Sequence, residues 1–227
     1  MNAPLVSCIM PTGRRLSRLP QALKIFAAQD YPNKELVVVD DGEESAEAIC
    51  SSSRETVRFI RLKERVTVGE ARNIACDAAL GSIVCHLDDD DWYAPWHVSH
   101  NAKLLVGDLA ITGLRNLTYL DARDGKVWRY TYFGRDHWLA GGTFVYRKLA
   151  WRAKPFPNLR IGEDTQWIRQ QPAEITVPSL REDSFVGLIH GANTCRKKLE
   201  SSVWGQVSAD KFLPTAFQAE LPHYRLK

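Results

Sequence analysis

Residues 82–91 read Ser82-Ile83-Val84-Cys85-His86-Leu87-Asp88-Asp89-Asp90-Asp91, and this stretch decides the fold. A short, unbroken and largely apolar run is the signature of a strand buried on both faces, as in a parallel sheet covered by helices. Ligands of such open sheets bind beyond the carboxyl ends of the strands. The aspartate run therefore stands where a ligand is expected, and its charges repel one another unless something neutralises them. A hard divalent cation, Mg2+ or Mn2+, takes oxygen ligands and shares them with substrate phosphates. Asp88 and Asp90, at alternate positions, can converge on one such ion while Asp89 points elsewhere. The plain alternative is a solvated turn, with Asp91 capping a helix that Pro95 helps to start.

Toward the N-terminus the same grammar repeats. Residues 69–80 predict a helix, 57–62 a strand and 45–51 a helix. Before these, Glu35-Leu36-Val37-Val38-Val39 is a second buried strand running straight into Asp40-Asp41-Gly42. A helix is expected over 19–29, with Leu19, Leu23, Phe26 and Ala27 on one face, and a first strand over 5–10 ends at Pro11-Thr12-Gly13. Strand and helix alternating at this spacing predict an α/β fold: a Rossmann-like, mostly parallel sheet with helices on both faces. Asp40-Asp41-Gly42 is a second acidic strand end, for which a plain turn closed by an aspartate side chain is an equal reading. Arg65 and Arg72 flank Thr67-Val68-Gly69-Glu70 and are the basic groups that suit a bound diphosphate. Arg72 is expected in the first turn of its helix, where the helix itself favours anions. An arginine paired with the acidic loop would equally hold that loop in shape.

Past Asp91 the pattern changes. Residues 119–127 predict a hairpin with an Asp124-Gly125 turn, 143–146 a short strand, and 147–151 and 164–171 helices. No Gly- or Ser-rich linker divides the chain, so one domain over 1–227 is expected, with a C-terminal tail from 196. A chain of 227 residues buries a core without staples, and 44% hydrophobic with 25% charged residues argues against general disorder. The 30 Lys and Arg against 27 Asp and Glu leave a net charge of +3, too small a bias for nucleic-acid binding by counterion release. The 5 cysteines are scattered with no C-x-x-C pair, which predicts reduced thiols and neither a zinc site nor a disulfide framework. No apolar run has the length of a bilayer span. Arg14, Arg15 and Arg18 follow the apolar start, the reverse of a signal peptide, so a cytoplasmic protein is expected. Arg196-Lys197-Lys198 is the cluster that would touch acidic head groups peripherally at the inner face of a membrane, a solvated surface being its plain reading.

Several motifs follow in one order. They are residues 6–12 (Val6 to Thr12), 29–42 (Gln29 to Gly42), Gly69-Glu70-Ala71-Arg72-Asn73, His86-Leu87-Asp88-Asp89-Asp90-Asp91-Trp92, Gly141-Gly142-Thr143-Phe144-Val145-Tyr146-Arg147 and Gly162-Glu163-Asp164. The ordered set resembles the family 2 glycosyltransferases of the GT-A fold, over about residues 4–195. Each motif alone is weak; their collinearity is specific. The resemblance implies a GT-A sheet with a small mixed, partly antiparallel C-terminal portion. It also implies an enzyme that passes a sugar from a nucleotide-sugar donor, UDP-linked, to a saccharide or lipid-linked acceptor with inversion, using Mn2+ or Mg2+. Residues 1–92 would then bind the nucleotide sugar, and 93–195 would bind the acceptor and carry the catalytic base.

By motif match Pro11, Thr12 and Asp41 would line the nucleoside pocket. Asp90 would bind the metal most directly with Asp88, Asp88 or Asp89 would lie near the ribose, and Arg65 and Arg72 would brace the site. Asp164 would be the general base. A carboxylate is a weak base unless desolvated, so partial burial near Trp138 or Trp167 is expected; the alternative for Glu163-Asp164 is an acidic pair favoured by a helix N-terminus. His190 would complete the metal site or serve as a structural hydrogen-bonding group. Gly141-Gly142 would let the backbone approach the donor sugar, and a tight turn explains the pair as well. Of the 7 tryptophans, Trp138 is the acceptor-side candidate.

One residue departs from the family pattern: Glu43 stands where many relatives carry Ser after Asp-Asp-Gly, which adds negative charge near the nucleotide. Rival readings fare worse. A sugar-phosphate nucleotidyltransferase wants a Gly-rich basic loop after the first strand, and Pro11-Thr12-Gly13-Arg14-Arg15 has the charge but one glycine. A phosphohydrolase with Asp88 as nucleophile lacks the Thr or Val typical after it. A non-catalytic nucleotide-sugar-binding module would have no use for Asp164.

Overall fold

The computed structural model describes residues 3–13, 15–53 and 55–224, so Arg14 lies outside the described residues. The N-terminal half alternates as its sequence predicts: β1 (Val6–Thr12), α1 (Leu19–Ala27), β2 (Lys34–Asp40), α2 (Glu47–Ser51), β3 (Val57–Arg61), α3 (Val68–Ala78) and β4 (Ile83–His86). Then come β5 (Trp92–Tyr93), α4 (His97–Leu104), β6 (Ile111–Gly113), β7 (Leu117–Asp121) and β8 (Val127–Tyr130). The chain continues through β9 (Val145–Arg147), α5 (Lys148–Ala153), α6 (Glu163–Gln170), β10 (Thr176–Pro178), β11 (Phe185–Ile189) and β12 (Trp204–Val207).

The first sheet runs β10-β6-β9-β4-β1-β2-β3. Strands β1, β2, β3 and β4 pair in parallel, and β9 lies antiparallel between β4 and β6. Strand alternation sorts their side chains onto two faces. Cys8, Met10, Leu36, Val38 and Cys85 pack with Leu19, Leu23 and Phe26 of α1. Ile9, Val37, Val39 and Val84 pack with Ala71 and Ala75 of α3 and Trp167 and Ile168 of α6. Both faces are dry along the middles of β1, β2 and β4, which is why Cys8 to Met10, Leu36 to Val39 and Ile83 to Cys85 are apolar at every position. The cysteines fill space: Cys8, Cys50, Cys76 and Cys85 are buried, and with exposed Cys195 all are free thiols.

The second sheet runs β12-β8-β7-β11-β5. Its β7–β8 hairpin is antiparallel, and Gly125 takes φ 76° at the expected turn. β11 runs parallel to β7 and antiparallel to β5, which directly follows the aspartate run. The C-terminal half thus feeds both sheets, giving the mixed portion expected.

Two sequence expectations need correction. Helix α3 starts at Val68, with the Thr67 hydroxyl accepting the Glu70 N–H at 3.1 Å, so Arg72 lies in the second turn rather than the first. Asp91 caps no helix: α4 starts after Trp96 without a side-chain cap, and Asp91 Oδ1 accepts the Leu188 N–H of β11 at 2.8 Å. Among the described residues no helix is long and apolar enough to cross a membrane.

Candidate functional site

Strand β4 delivers the four aspartates to the C-terminal edge of the first sheet, and each is handled differently. Asp89 turns inward, where its side chain is wholly buried. It accepts a hydrogen bond from the Thr12 hydroxyl at 2.6 Å and an ion pair from Arg15 Nη2 at 2.6 Å. Asp90 Oδ2 faces Arg15 Nη1 and His190 Nε2, both at 3.0 Å. Asp88, a quarter exposed, meets Arg72 Nη2 at 3.5 Å. Asp91 ties the loop to β11.

Electrostatics separates them further. Burial pushes the Asp89 carboxyl up to about 6 despite Arg15. Burial, then Asp90 and Asp88, push Asp91 well above the ordinary carboxylate range, and burial also raises Asp88 against the pull of Arg72. At Asp90 alone of the four, the upward push of burial is outweighed, by the His190 hydrogen bond and the Arg15 charge, so its pKa lies below normal. Asp90 is therefore the most readily ionised carboxyl of the corner.

His190 Nδ1 accepts the Ala192 N–H at 3.1 Å, which leaves the ring proton on Nε2, pointing at Asp90. As the ring stands it donates to the carboxylate and offers no lone pair on that side. Among the described residues no group of three or more His, Cys, Asp or Glu side chains converges tightly enough to hold a metal. The corner suits a cation that takes one or two carboxylates from the protein and the rest of its oxygens from phosphates and water, as Mg2+ does.

Across from the corner, α6 begins at Glu163, with Gly162 at φ 82° before it. Glu163 is buried and pairs with Arg72 Nη1 at 2.7 Å, so Arg72 bridges Glu163 and Asp88. Asp164 is half-buried as expected, with Oδ1 accepting the Thr165 N–H at 2.6 Å; the next side chain, Thr165, accepts Trp138 Nε1 at 3.1 Å.

Gly141-Gly142-Thr143 forms a single 3-10 turn between the two acidic groups. A β-carbon on Gly141 would overlap the Asp164 carboxylate, and one on Gly142 would come within 3.0 Å of Asp88 Oδ2. From behind, Tyr93 Oη donates to the Gly142 carbonyl at 2.7 Å and accepts the Asp88 N–H at 2.9 Å. His86 Nδ1 lies 2.7 Å from the Gly141 carbonyl and Nε2 lies 3.2 Å from the Tyr146 hydroxyl, itself 3.1 Å from Cys76 Sγ. Burial, then Arg72, holds His86 well below its ordinary pKa. The ring is neutral and donates to the carbonyl, so Tyr146 donates to the ring and the Cys76 thiol, pushed up to about 12 by burial, donates to Tyr146.

One cavity of about 480 Å3 joins these groups. Pro11, Arg15, Arg72, Asp88 and Asp90 line it on one side, and Trp138, Gly141, Gly142, Glu163 and Asp164 on another; residues 193–198 complete the rim. Thr12 is buried behind Asp89, outside the cavity lining. Asp41 lies beyond it as well, pressed on Gly13, with Oδ2 accepting the Val66 N–H at 3.2 Å. Arg65 is exposed and reaches the Gly13 carbonyl at 3.5 Å, meeting none of the acids. Asp40 takes the structural role open to that turn: it accepts from Gly42 N and Ala46 N and pairs with Arg61 at 2.7 Å.

Arg15, Tyr93 and Lys197 were not among the sequence candidates for the site. Arg15 lies 74 positions from Asp89, and a lone arginine in a loop reads as a surface charge. Lys197 Nζ lies 5.2 Å over the Tyr119 ring, and Tyr119 and Asp91 hold its pKa above normal.

The model of glycosyl transferase family 2 matches residues 7–173. Among curated proteins, an uncharacterized glycosyltransferase of Haemophilus influenzae is 34% identical over 131 residues, 56% of this chain and 52% of that one. This chain therefore spans about half the length of that relative. Among solved structures, S. aureus TarS 1-349 in complex with UDP-GlcNAc has a TM-score of 0.67 at 18% identity, over 83% of this chain and 60% of that one. The mannosyltransferase PcManGT from Pyrobaculum calidifontis, in complex with GDP-Man and Mn2+, has a TM-score of 0.55 at 18% identity, over 79% and 57%. At such identities the likeness speaks to the fold, which is the GT-A arrangement of these transferases.

Proposed function

The chain belongs to glycosyl transferase family 2, and from that premise we propose that it is a metal-dependent, inverting glycosyltransferase. It moves a sugar from a UDP-linked donor to a hydroxyl of a saccharide or lipid-linked acceptor. The observation that carries this reading is the placement of Asp90 and Asp164 on one cavity, with the Gly141-Gly142 turn between the acidic groups. An inverting displacement needs a base on the face opposite the leaving group, and countercharge where the diphosphate departs. The UDP-GlcNAc of the TarS structure and the GDP-Man and Mn2+ of the mannosyltransferase support the donor class and the cation.

On this reading Pro11, Thr12 and Asp41 shape the nucleoside end, with Arg65 beside it and Asp89 locking Thr12 and Arg15 in place. Asp90, with Asp88, would hold Mn2+ or Mg2+, which supplies charge stabilisation to the leaving diphosphate. His190 orients Asp90 through Nε2, the hydrogen-bonding role left open for it in the sequence. Glu163 and Arg72 fix the start of α6. Asp164 then accepts the proton of the acceptor hydroxyl. The acceptor oxygen bonds to the anomeric carbon as the bond to the phosphate oxygen breaks, and the electron pair leaves on UDP. The missing β-carbons of Gly141 and Gly142 leave room for the Asp164 and Asp88 carboxylates beside the donor sugar, and Trp138 faces the acceptor.

A thermal-shift screen of nucleotide sugars with Mn2+, repeated with EDTA, tests the reading. A ligand selective for the folded state raises the apparent stability, so a UDP-sugar should raise Tm only when the cation is present. Asp164→Asn should keep that rise and lose transfer by roughly 100- to 10,000-fold, the usual worth of a general base. Absence of any cation-dependent rise, or full turnover in Asp164→Asn, rejects the proposal.

A further inference from the structure

The run from Ile83 to Leu87 is apolar except at His86, and that ring is as deeply buried as its neighbours. The rings of Phe144 and Phe156 lie 5.6 Å from it between centroids, and that of Tyr146 5.5 Å. An apolar side chain would fill such a cage at no electrostatic cost, whereas a polar ring there needs hydrogen-bond partners. His86 does not line the cavity. Its Nδ1 reaches, at 2.7 Å, the carbonyl of a residue that does, Gly141.

The direction of the bonds follows from that carbonyl. It can only accept, so the ring proton sits on Nδ1, and Nε2 is left to accept the Tyr146 hydroxyl at 3.2 Å. Tyr146 in turn meets Cys76 of α3, and every group in the series is buried. Cys76 stands one turn after Arg72 on the same face of α3. That face therefore backs the site twice: through Arg72 on Asp88 and Glu163, and through Cys76, Tyr146 and His86 on Gly141. The next carbonyl, that of Gly142, is held by Tyr93, whose hydroxyl also accepts the Asp88 N–H. The two grips thus differ. Tyr93 ties the turn to the aspartate corner, and His86 ties it to the core.

We propose that His86 is a positioning residue for transfer: its Nδ1–H fixes Gly141 and thereby keeps the Asp164 carboxylate where an acceptor hydroxyl meets it. Gly141 and Asp164 stand so close that no β-carbon fits between them, so slack in the turn becomes displacement of the carboxylate. The inference rests on the reading of Asp164 as the base, and it adds to that reading a residue that touches no substrate.

Two replacements separate the two ends of the ring. An asparagine amide falls where Nδ1 stands and keeps the bond to Gly141, whereas a glutamine amide falls nearer Nε2 and keeps the one to Tyr146. The assay is UDP release from UDP-glucose, UDP-galactose and UDP-GlcNAc with Mn2+, followed on the fastest donor, beside UDP titration of the same samples. His86→Asn should keep kcat within about threefold, and His86→Gln should lose it roughly 10- to 100-fold, with UDP affinity unchanged in both. Tyr93→Phe should behave differently, weakening UDP binding together with kcat, because it frees Asp88 as well. The reverse order, glutamine active and asparagine not, would show that only the Tyr146 contact matters and would overturn the proposal. So would a His86→Gln protein that loses kcat and UDP affinity together. Full turnover in Asp164→Asn sinks the reading of the base alone. A wild type that releases no UDP from any of the three donors sinks the UDP-sugar reading instead. In that case, or where a variant fails to fold, long-range nitrogen–proton NMR spectra of the wild-type ring decide. They should show the proton on Nδ1, unchanged between about pH 5 and 8; a proton on Nε2, or a ring that titrates in that range, overturns the assignment.

Discussion

Gly141 lies so close to Asp164 that a β-carbon on the glycine would fall within the carboxylate. The turn that carries Gly141 is gripped from behind by His86 and Tyr93, so it has nowhere to retreat. Gly141→Ala should therefore displace Asp164 rather than the turn. A misplacement of about 1 Å is worth roughly 100-fold in rate, and transfer should fall by that order while UDP affinity stays within about threefold. Steady-state kinetics beside UDP titration checks it; a variant that loses both equally would show that the glycine serves the donor instead.

Asp90 is the one aspartate of the corner whose pKa is held below normal, whereas Asp91 is pushed well above it. With UDP at a hundredfold excess over Kd, binding adds about 2.7 kcal/mol, roughly 5 to 10 °C of Tm for a chain of this size. Asp90→Ala should abolish the Mn2+-dependent part of that rise in a thermal melt, whereas Asp91→Asn, altering a group already pushed toward neutrality, should keep most of it.

Arg15 is the main countercharge of Asp89, whose side chain is wholly buried. Removing one partner of such a pair leaves an uncompensated charge and costs about 3 to 5 kcal/mol. Arg15→Ala should lose stability at the lower end of that range, because Arg15 is itself partly exposed and Thr12 still donates. Urea unfolding at neutral pH measures it. The double variant Arg15→Ala/Asp89→Asn should recover part of the loss, since the amide needs no countercharge.

Glu163 is held up to about 6 by burial, with Arg72 opposing and Asp164 reinforcing the shift. The folded state thus keeps a proton that the unfolded chain releases near 4.5. Where the folded state binds the extra proton, stability falls as pH rises. The contribution of Glu163 is complete below about 4.5, declines between about 4.5 and 6, and is gone above that. Its size is about 2 kcal/mol from one and a half pKa units. Stability curves for the wild type and Glu163→Gln, subtracted across this window, should show that slope; parallel curves would refute it.

The N-terminal half was legible because β1, β2 and β4 are dry on both sides along their middles, so an unbroken run such as Leu36 to Val39 has one reading. The acidic groups announced the site because they end those strands. The second sheet was harder to see: β5 has two residues, β12 alternates Trp204-Gly205-Gln206-Val207 around a half-exposed face, and the glycine within β11 exists for the Tyr119 ring. Arg15 and Asp91 escaped for another reason. Their partners, Asp89 and Leu188, lie 74 and 97 positions away, so no local pattern could assign them. Arg65 shows the converse, a well-spaced arginine that the fold turns outward.

The bond from Asp91 to Leu188 splices the aspartate loop onto the strand that leads to His190 and, a few residues later, to Lys197. The rim at residues 193–198 and the aspartate loop are therefore joined through one strand. Whatever rests on that rim sits on the continuation of the segment that anchors the far corner.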